Sequence, residues 1–215
     1  RTGGAGSGRT TSPGSAGSAE ASSGTTALSE VQVEVDSRVQ TGIGEFDRVL
    51  GGGLVPGSCV LVGGEPGIGK STLMLQVAGA IGGATGSSGT KARLAPTDPR
   101  TTATDADSGS SRNGGVLYVS GEEAARQIRR SADRLHVSPD SINLLCTTDL
   151  DSVTAELHRL NPRLVVVDSV QTLISADIGG VPGTINQIKY ATHELTDWAR
   201  VTGGAVLMVA HVTKE

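Results

Sequence analysis

The stretch that most constrains this chain is a glycine-rich loop, Gly64–Ser71, whose sequence GEPGIGKS fits the pattern G-x-x-x-x-G-K-S/T. An apolar, strand-like run at 59–62 leads into the loop, and a helix-like run at 71–81 follows it. A loop in this setting surrounds phosphate groups with backbone N–H groups and the positive end of a helix. The sequence therefore predicts a nucleotide-binding loop lined by Gly64, Glu65, Pro66, Gly67, Ile68, Gly69, Lys70, Ser71 and Thr72.

Two residues of this loop have predicted roles in phosphate chemistry. Lys70 is expected to contact the β- and γ-phosphates, and the hydroxyl of Ser71 is expected to bind Mg²⁺. Gly67 and Gly69 suit such a loop because a Cβ would block the close approach of its backbone to phosphate. The alternative is an ordinary glycine-rich turn, since the chain contains 31 glycines. The flanking strand and helix patterns favour the nucleotide site.

Composition argues against several other classes of protein. A formal net charge of -4 speaks against a generally basic surface, and an aromatic content of 2% leaves little material for stacking on bases. Cys59 and Cys146 each lie in an apolar run, so we expect reduced core residues and no disulfide or metal pair. No apolar run approaches the roughly 18 residues that span a bilayer. We therefore expect a cytoplasmic protein with no membrane partner.

Two stretches of low complexity interrupt the chain. Residues 1–30 are rich in Gly, Ser, Ala and Thr, which predicts a disordered linker. Residues from about 82 to 115 have a similar composition and predict a disordered insertion within a domain that spans 31–215. Because the chain begins with Arg1 and ends with Glu215 just after an apolar run, we expect a C-terminally truncated piece of a longer protein.

The remaining segments alternate between strand and helix patterns. Strands are predicted at 31–39, 59–62, 116–119, 142–146, 164–168 and 205–210. Helices are predicted within 41–50, where Phe46, Val49 and Leu50 share a face, and at 71–81, 123–135, 149–160 and 184–201. Ala125 is expected to face inward from the helix at 123–135. This order predicts an α/β fold, a P-loop domain with a mostly parallel sheet and helices on both faces.

Two carboxylates are predicted at the carboxyl ends of the strands, where parallel sheets bind their ligands. Asp168 ends an apolar strand, as a Walker B residue that holds Mg²⁺ does, although a capping role is the alternative. Ser169 follows it, where many ATPases have a Glu, so we assign the base that orients the attacking water to Glu122. Glu123 is expected to start the next helix. In the alternative interpretation both glutamates are helix-start charges.

Other polar residues have weaker assignments. Gln171 and His211 are candidate γ-phosphate sensors, with a polar residue leaving the core as the alternative for His211. Three arginines, at 126, 130 and 134, share a helical face that is either solvated or in contact with phosphate or a subunit. The loop at 175–186 is either an ordinary connector or a DNA contact. The candidates for DNA or subunit contact are Arg126, Arg130, Lys189 and Lys214.

Taken together, these motifs resemble those of bacterial RadA/Sms proteins, a family of RecA-like DNA-repair ATPases. The resemblance rests on RVQTG at 38–42, EFDRVLGGGLVPGS at 45–58, GEPGIGKST at 64–72, YVSGEE at 118–123, VDSVQTL at 167–173 and HVTK at 211–214. It covers nearly all of 31–215, and the insertion at 82–115 departs from the compact pattern of the family.

The resemblance implies a RecA-like core with ATP and Mg²⁺ as cofactors. It implies a DNA-dependent ATPase that processes branched intermediates of homologous recombination and repair, on single-stranded or branched DNA. A homo-oligomer, in the form of a hexameric ring, is implied as well. A four-cysteine zinc module would precede residue 1, so zinc is expected only there. A Lys-Asn-Arg-Phe-Gly segment and a Lon-protease-like domain would follow residue 215.

Two other functions fit many of the same residues. A RecA-fold ATPase or autokinase of the circadian-clock KaiC type has a similar phosphate loop and similar paired glutamates. The segments DSVQ at 168–171 and HVTK at 211–214 favour the RadA/Sms resemblance over that one. The non-enzymatic alternative is a nucleotide-binding scaffold that folds around ATP without turning it over.

Overall fold

The computed structural model describes residues 38–86 and 115–212, together with residues 27 and 29. Its strands are β1 Cys59–Gly64, β2 Val116–Ser120, β3 Ile142–Cys146, β4 Leu164–Asp168 and β5 Ala205–His211. Its α-helices are α1 Gly44–Val49, α2 Lys70–Gly86, α3 Ala125–Arg134, α4 Leu150–Leu160 and α5 Ile185–Thr202. Short 3-10 turns span Pro139–Ser141 and Val170–Thr172.

The five strands form a parallel sheet in the order β1-β5-β4-β2-β3. Their register aligns the carboxyl ends at one edge of the sheet. Gly64, the last residue of β1, pairs with His211 of β5, and Ser120 of β2 pairs with Asp168 of β4. The predicted α/β class is confirmed, and the residues that follow these strands are brought to a common edge.

Apolar side chains of alternate strand residues pack against helices on the two faces of the sheet. In β2, Val116 and Tyr118 belong to the core that includes α2 and α3, whereas Leu117 and Val119 belong to the core that includes α4 and α5. Each fully buried aliphatic side chain of this kind contributes about 1.5–3 kcal/mol by leaving water. Burial on both faces explains why β2 and β4 are almost continuously apolar.

Helix α2 is longer than predicted. It continues to Gly86, beyond residue 82, near which the low-complexity insertion was predicted to begin. Gly82 is buried, and a Cβ there would overlap the backbone oxygen of Ser141. This glycine therefore serves helix packing, which a reading of composition does not detect. Residues 87–114, the linker at 1–30 apart from 27 and 29, and the 31–37 part of the predicted first strand lie outside the described residues.

Three predictions about burial are wrong. Val49 is 77% exposed, because the inward face of the short α1 is formed by Phe46 and Leu50. Ala125 is exposed as the first residue of α3, whose buried residues are further along the helix. Cys146 is exposed because β3 is an edge strand, while Cys59 is half-buried. Both cysteines are free thiols.

Candidate active site

The glycine-rich loop joins β1 to α2, as the sequence predicts. Gly67 and Gly69 have φ angles of +79° and +98°, a backbone region that glycine adopts at little cost. No atom lies within 4 Å of where a Cβ would stand on either residue. The backbone conformation, and not the packing, therefore requires these glycines. The space beside them is open, as a loop that receives a phosphate chain requires.

Lys70 is the first residue of α2 and is only 7% exposed. Its ammonium donates hydrogen bonds of 2.8 Å to the backbone oxygens of Gly64 and Glu65. It also lies 3.2 Å from Nδ1 of His211. The cation is thus buried at the base of the loop, and its contacts join the loop to the end of β5.

Asp168 ends β4 and is 7% exposed. The Tyr118 hydroxyl donates a hydrogen bond of 2.9 Å to its Oδ2. Burial, and then the neighbouring Asp168, raise the pKa of Tyr118 above its usual range. The tyrosine therefore stays a neutral donor that orients the carboxylate. Sequence reasoning missed this role, and the signal available to it was an aromatic residue inside an otherwise aliphatic strand.

Glu122 lies in the turn between β2 and α3, with its side chain 47% exposed. Ser169 Oγ donates a hydrogen bond of 2.7 Å to Glu122 Oε1, and His211 Nε2 is 3.2 Å from the same oxygen. The histidine contact has ion-pair distance without hydrogen-bond alignment. Glu123 does not start the helix as predicted, because its backbone N–H donates to Ser120 Oγ in the turn before α3.

Gln171 and His211, the candidate phosphate sensors, lie together at the same edge. The Gln171 side chain donates to the backbone oxygen of His211 at 2.8 Å and accepts from the backbone N–H of His211 at 2.9 Å. The N–H of Val212 in turn donates to the Gly64 oxygen at 3.1 Å. Gln171 therefore anchors the end of β5 through its backbone, which leaves the His211 ring as the group between Lys70 and Glu122.

Ser71 and Asp168 fit a magnesium ion that is held together with nucleotide phosphates. No cluster of three or more His, Cys, Asp and Glu side chains able to hold a metal exists among the residues that the structure describes. Mg²⁺ needs no such cluster, because it usually retains several waters and takes its other ligands from one or two protein oxygens and the phosphates. The buried carboxylate of Asp168 and the hydroxyl of Ser71, in the first turn of α2, would supply those protein oxygens.

The predicted DNA or subunit contacts do not form one surface. Arg126 and Arg130 are exposed on α3, and Lys189 is exposed on α5. These helices pack on opposite faces of the sheet. Neither arginine forms an ion pair with another described residue, whereas Arg129 pairs with Asp133 at 2.9 Å. Lys214 lies outside the described residues.

A parallel sheet of this order, with a glycine loop after β1 and a carboxylate at the end of β4, defines a RecA-like P-loop ATPase domain. The chain belongs to the AAA domain family, whose model matches residues 26–215. The part of the chain that the structure describes contains no helix long and apolar enough to cross a membrane.

Similar proteins confirm the resemblance found in the motifs. DNA repair protein RadA of Bacillus subtilis is 39% identical over 188 residues, which cover 87% of this chain and 35% of that protein. The RadA proteins of Treponema pallidum and Streptococcus pneumoniae are 42% and 41% identical over the same length, which covers 34% and 38% of them. The chain thus spans about a third of the length of these curated relatives.

Proposed function

We propose that this chain is the ATP-hydrolysing core of a DNA-dependent ATPase that acts in homologous recombination and DNA repair. The observation that carries the proposal is the position of His211 between two functional groups. Its Nδ1 is 3.2 Å from the Lys70 ammonium, and its Nε2 is 3.2 Å from the Glu122 carboxylate. One imidazole ring thus separates the predicted phosphate-binding cation from the predicted base.

In the proposed reaction the chain's own residues bind the triphosphate and orient water. Lys70 exchanges its loop carbonyl partners for the β- and γ-phosphate oxygens, and the loop N–H groups bind the phosphate chain. Glu122 accepts a hydrogen bond from the attacking water, which lowers the barrier by positioning and by removal of a proton. Bound Mg²⁺, held by Ser71 and Asp168, would supply neutralisation of phosphate charge.

The DNA part of the proposal draws on the relatives, whose name describes them as DNA repair proteins. We infer single-stranded or branched DNA as the partner and a homo-oligomeric, hexameric ring as the working form. The exposed Arg126 and Arg130 on α3 are the groups to which we assign phosphate contact. Because the chain covers about a third of its relatives, these assignments concern the full-length protein.

The test is ATP hydrolysis by the full-length protein with and without single-stranded DNA. Glu122→Gln is expected to lower kcat by about 100-fold or more, since general-base catalysis contributes roughly 10²–10⁴-fold. ATP affinity should remain. The neighbouring Glu123→Gln is the matched control, because it removes an adjacent carboxylate from the same turn and should leave kcat within about threefold. Equal losses in the two variants would contradict the role of Glu122.

The alternatives give different results in the same assay. DNA stimulation of hydrolysis supports the recombination ATPase. Absence of stimulation, together with labelled phosphate incorporated into the protein, would identify an autokinase of the KaiC type. Tight ATP binding by the wild-type protein without measurable hydrolysis would identify a scaffold.

A further inference from the structure

Ser169 occupies the position directly after the Walker B aspartate, where many ATPases have their catalytic glutamate. It is fully buried, and its Oγ donates a hydrogen bond of 2.7 Å to Glu122 Oε1. Glu122 lies in the turn after β2, the strand that pairs with β4. We propose that Ser169 is a positioning residue for hydrolysis, whose hydroxyl holds the Glu122 carboxylate in place. The inference rests on the proposed function, in which Glu122 orients the attacking water.

The backbone on both sides of this hydrogen bond is anchored. Gly121, next to Glu122, donates its N–H to the backbone oxygen of Asp168 at 3.0 Å. The Thr172 hydroxyl and N–H both donate to the backbone oxygen of Ser169, at 2.7 Å and 3.2 Å. These hydrogen bonds fix the two main-chain segments relative to each other independently of the contact between the Ser169 and Glu122 side chains.

The freedom that remains is in the side chain of Glu122. That side chain is 47% exposed and has several rotatable bonds, so without a partner it would populate several rotamers. The Ser169 hydroxyl stabilises the rotamers of Glu122 that place Oε1 at the carboxyl end of β4, beside His211. A base that is fixed in this way spends more of its time in the geometry that hydrolysis needs.

The residue after Asp168 therefore still helps to place a carboxylate for hydrolysis, although it is not itself that carboxylate. A Glu there would itself supply the carboxylate, whereas Ser169 supplies a donor that fixes a carboxylate from β2. The parallel register, in which Ser120 pairs with Asp168, brings the two strand exits side by side. The donor is a neutral hydroxyl, so it fixes the carboxylate without placing a second positive charge beside Lys70.

The experiment compares Ser169→Ala with Ser169→Thr and Ser141→Ala in the full-length protein with DNA. Ser169→Ala should lower kcat by about 10-fold and leave the ATP dissociation constant within about twofold, as expected when a hydrogen bond to a charged group is removed. Ser169→Thr retains the hydroxyl and should recover at least part of kcat. Ser141 is also buried and its hydroxyl donates to the Ser138 oxygen at 2.6 Å, at the opposite end of the sheet. Ser141→Ala should affect stability alone.

Each outcome separates the two proposals. If Glu122→Gln is inactive while Ser169→Ala has the wild-type kcat, Ser169 is not a positioning residue and the proposed function stands. If Glu122→Gln has the wild-type kcat, the proposed role of Glu122 fails first. A lower kcat in Ser169→Ala that is matched by Ser141→Ala, with equal loss of thermal stability, would assign the effect to folding and overturn the inference. In the double variant with Glu122→Gln, Ser169→Ala should cause no further loss in single-turnover hydrolysis.

Discussion

The ammonium of Lys70 lies 3.2 Å from Nδ1 of His211, a contact that joins the start of α2 to the end of β5. An ammonium has donors only, so this contact is a hydrogen bond when Nδ1 accepts, and in a neutral imidazole that arrangement places the proton on Nε2. That nitrogen faces the Glu122 carboxylate at 3.2 Å. The contact with the phosphate-loop lysine therefore predicts the tautomer that carries its proton on Nε2.

This tautomer can be observed directly. We predict that nucleotide-free protein shows His211 protonated on Nε2 in long-range ¹⁵N–¹H spectra, and that ATP with Mg²⁺ changes the Nδ1 shift as Lys70 turns to the phosphates. The chain has four histidines, so His211→Gln identifies the signal. Lys70→Ala should abolish the ATP-dependent change. A proton on Nδ1 in the nucleotide-free protein would contradict the observed contact.

The Tyr118 hydrogen bond to Asp168 predicts a loss of stability in Tyr118→Phe. Removing a buried donor to a carboxylate should lower the free energy of unfolding by about 2 kcal/mol, measured by urea denaturation. Tyr190→Phe is the matched control, because Tyr190 is the second of two tyrosines and is less buried. Its effect should stay within about 0.5 kcal/mol.

The same residue predicts how stability depends on alkaline pH. Burial, followed by the nearby Asp168, raises the pKa of Tyr118 in the folded protein, so the folded state keeps a proton that the unfolded chain releases above about pH 10. The contribution of Tyr118 to the free energy of unfolding is fully present below that pH. Above it the contribution falls by at most about 1.4 kcal/mol per pH unit. The free energy of unfolding, measured by denaturation at a series of pH values from 8 to 11, should therefore fall more steeply in the wild type than in Tyr118→Phe. Equal slopes in the two proteins would contradict the assignment.

Gly121 predicts a sharp response to a single methyl group. A Cβ at this position would overlap Thr172 Oγ1, so Gly121→Ala should displace the turn that carries Glu122. We expect a loss of about 1–3 kcal/mol in stability and a fall of about 10-fold or more in kcat.

A second glycine provides the control for that variant. Gly83 is exposed in α2, and no atom lies within 4 Å of where a methyl group would stand on it. Gly83→Ala should therefore raise the free energy of unfolding by about 0.5–1 kcal/mol. A Cβ on Gly121 would also overlap Cβ of Thr172, so Thr172→Gly is the change that removes both overlapping atoms. The stability losses of Gly121→Ala and Thr172→Gly should therefore be less than additive when the two are combined. Additive losses in that double variant would show that the overlap is not the cause.

The arginines of α3 predict a change in the salt dependence of DNA binding. Arg126→Ala with Arg130→Ala should weaken binding of single-stranded DNA and lower the slope of log K against log salt by about 0.7 for each phosphate that is no longer neutralised. Arg159→Ala on α4 is the control, since Arg159 is exposed and pairs with Glu156. Lys189→Ala tests the opposite face of the sheet. Unchanged DNA affinity with altered assembly in sedimentation would assign the α3 arginines to a subunit contact.

The sequence by itself was sufficient for the phosphate loop, the five strands that the structure describes and the α/β class. These follow from local patterns, since G-x-x-x-x-G-K-S between a strand and a helix needs no distant partner to be recognised. The choice of Glu122 over Glu123 also came from position, as the first carboxylate past β2. Its role remains a prediction.

Only the tertiary structure decided which side chains act together. Four pairs of side chains at the site lie 47 to 141 residues apart in sequence. They are Tyr118 with Asp168, Ser169 with Glu122, His211 with Lys70, and His211 with Glu122. No periodicity encodes such pairs, because the parallel register of β2, β4, β5 and β1 determines them. Packing likewise decided that Gly82 belongs to a helix and Cys146 to an exposed edge. Local pattern specifies the elements, whereas contacts between strand ends are settled when the sheet assembles.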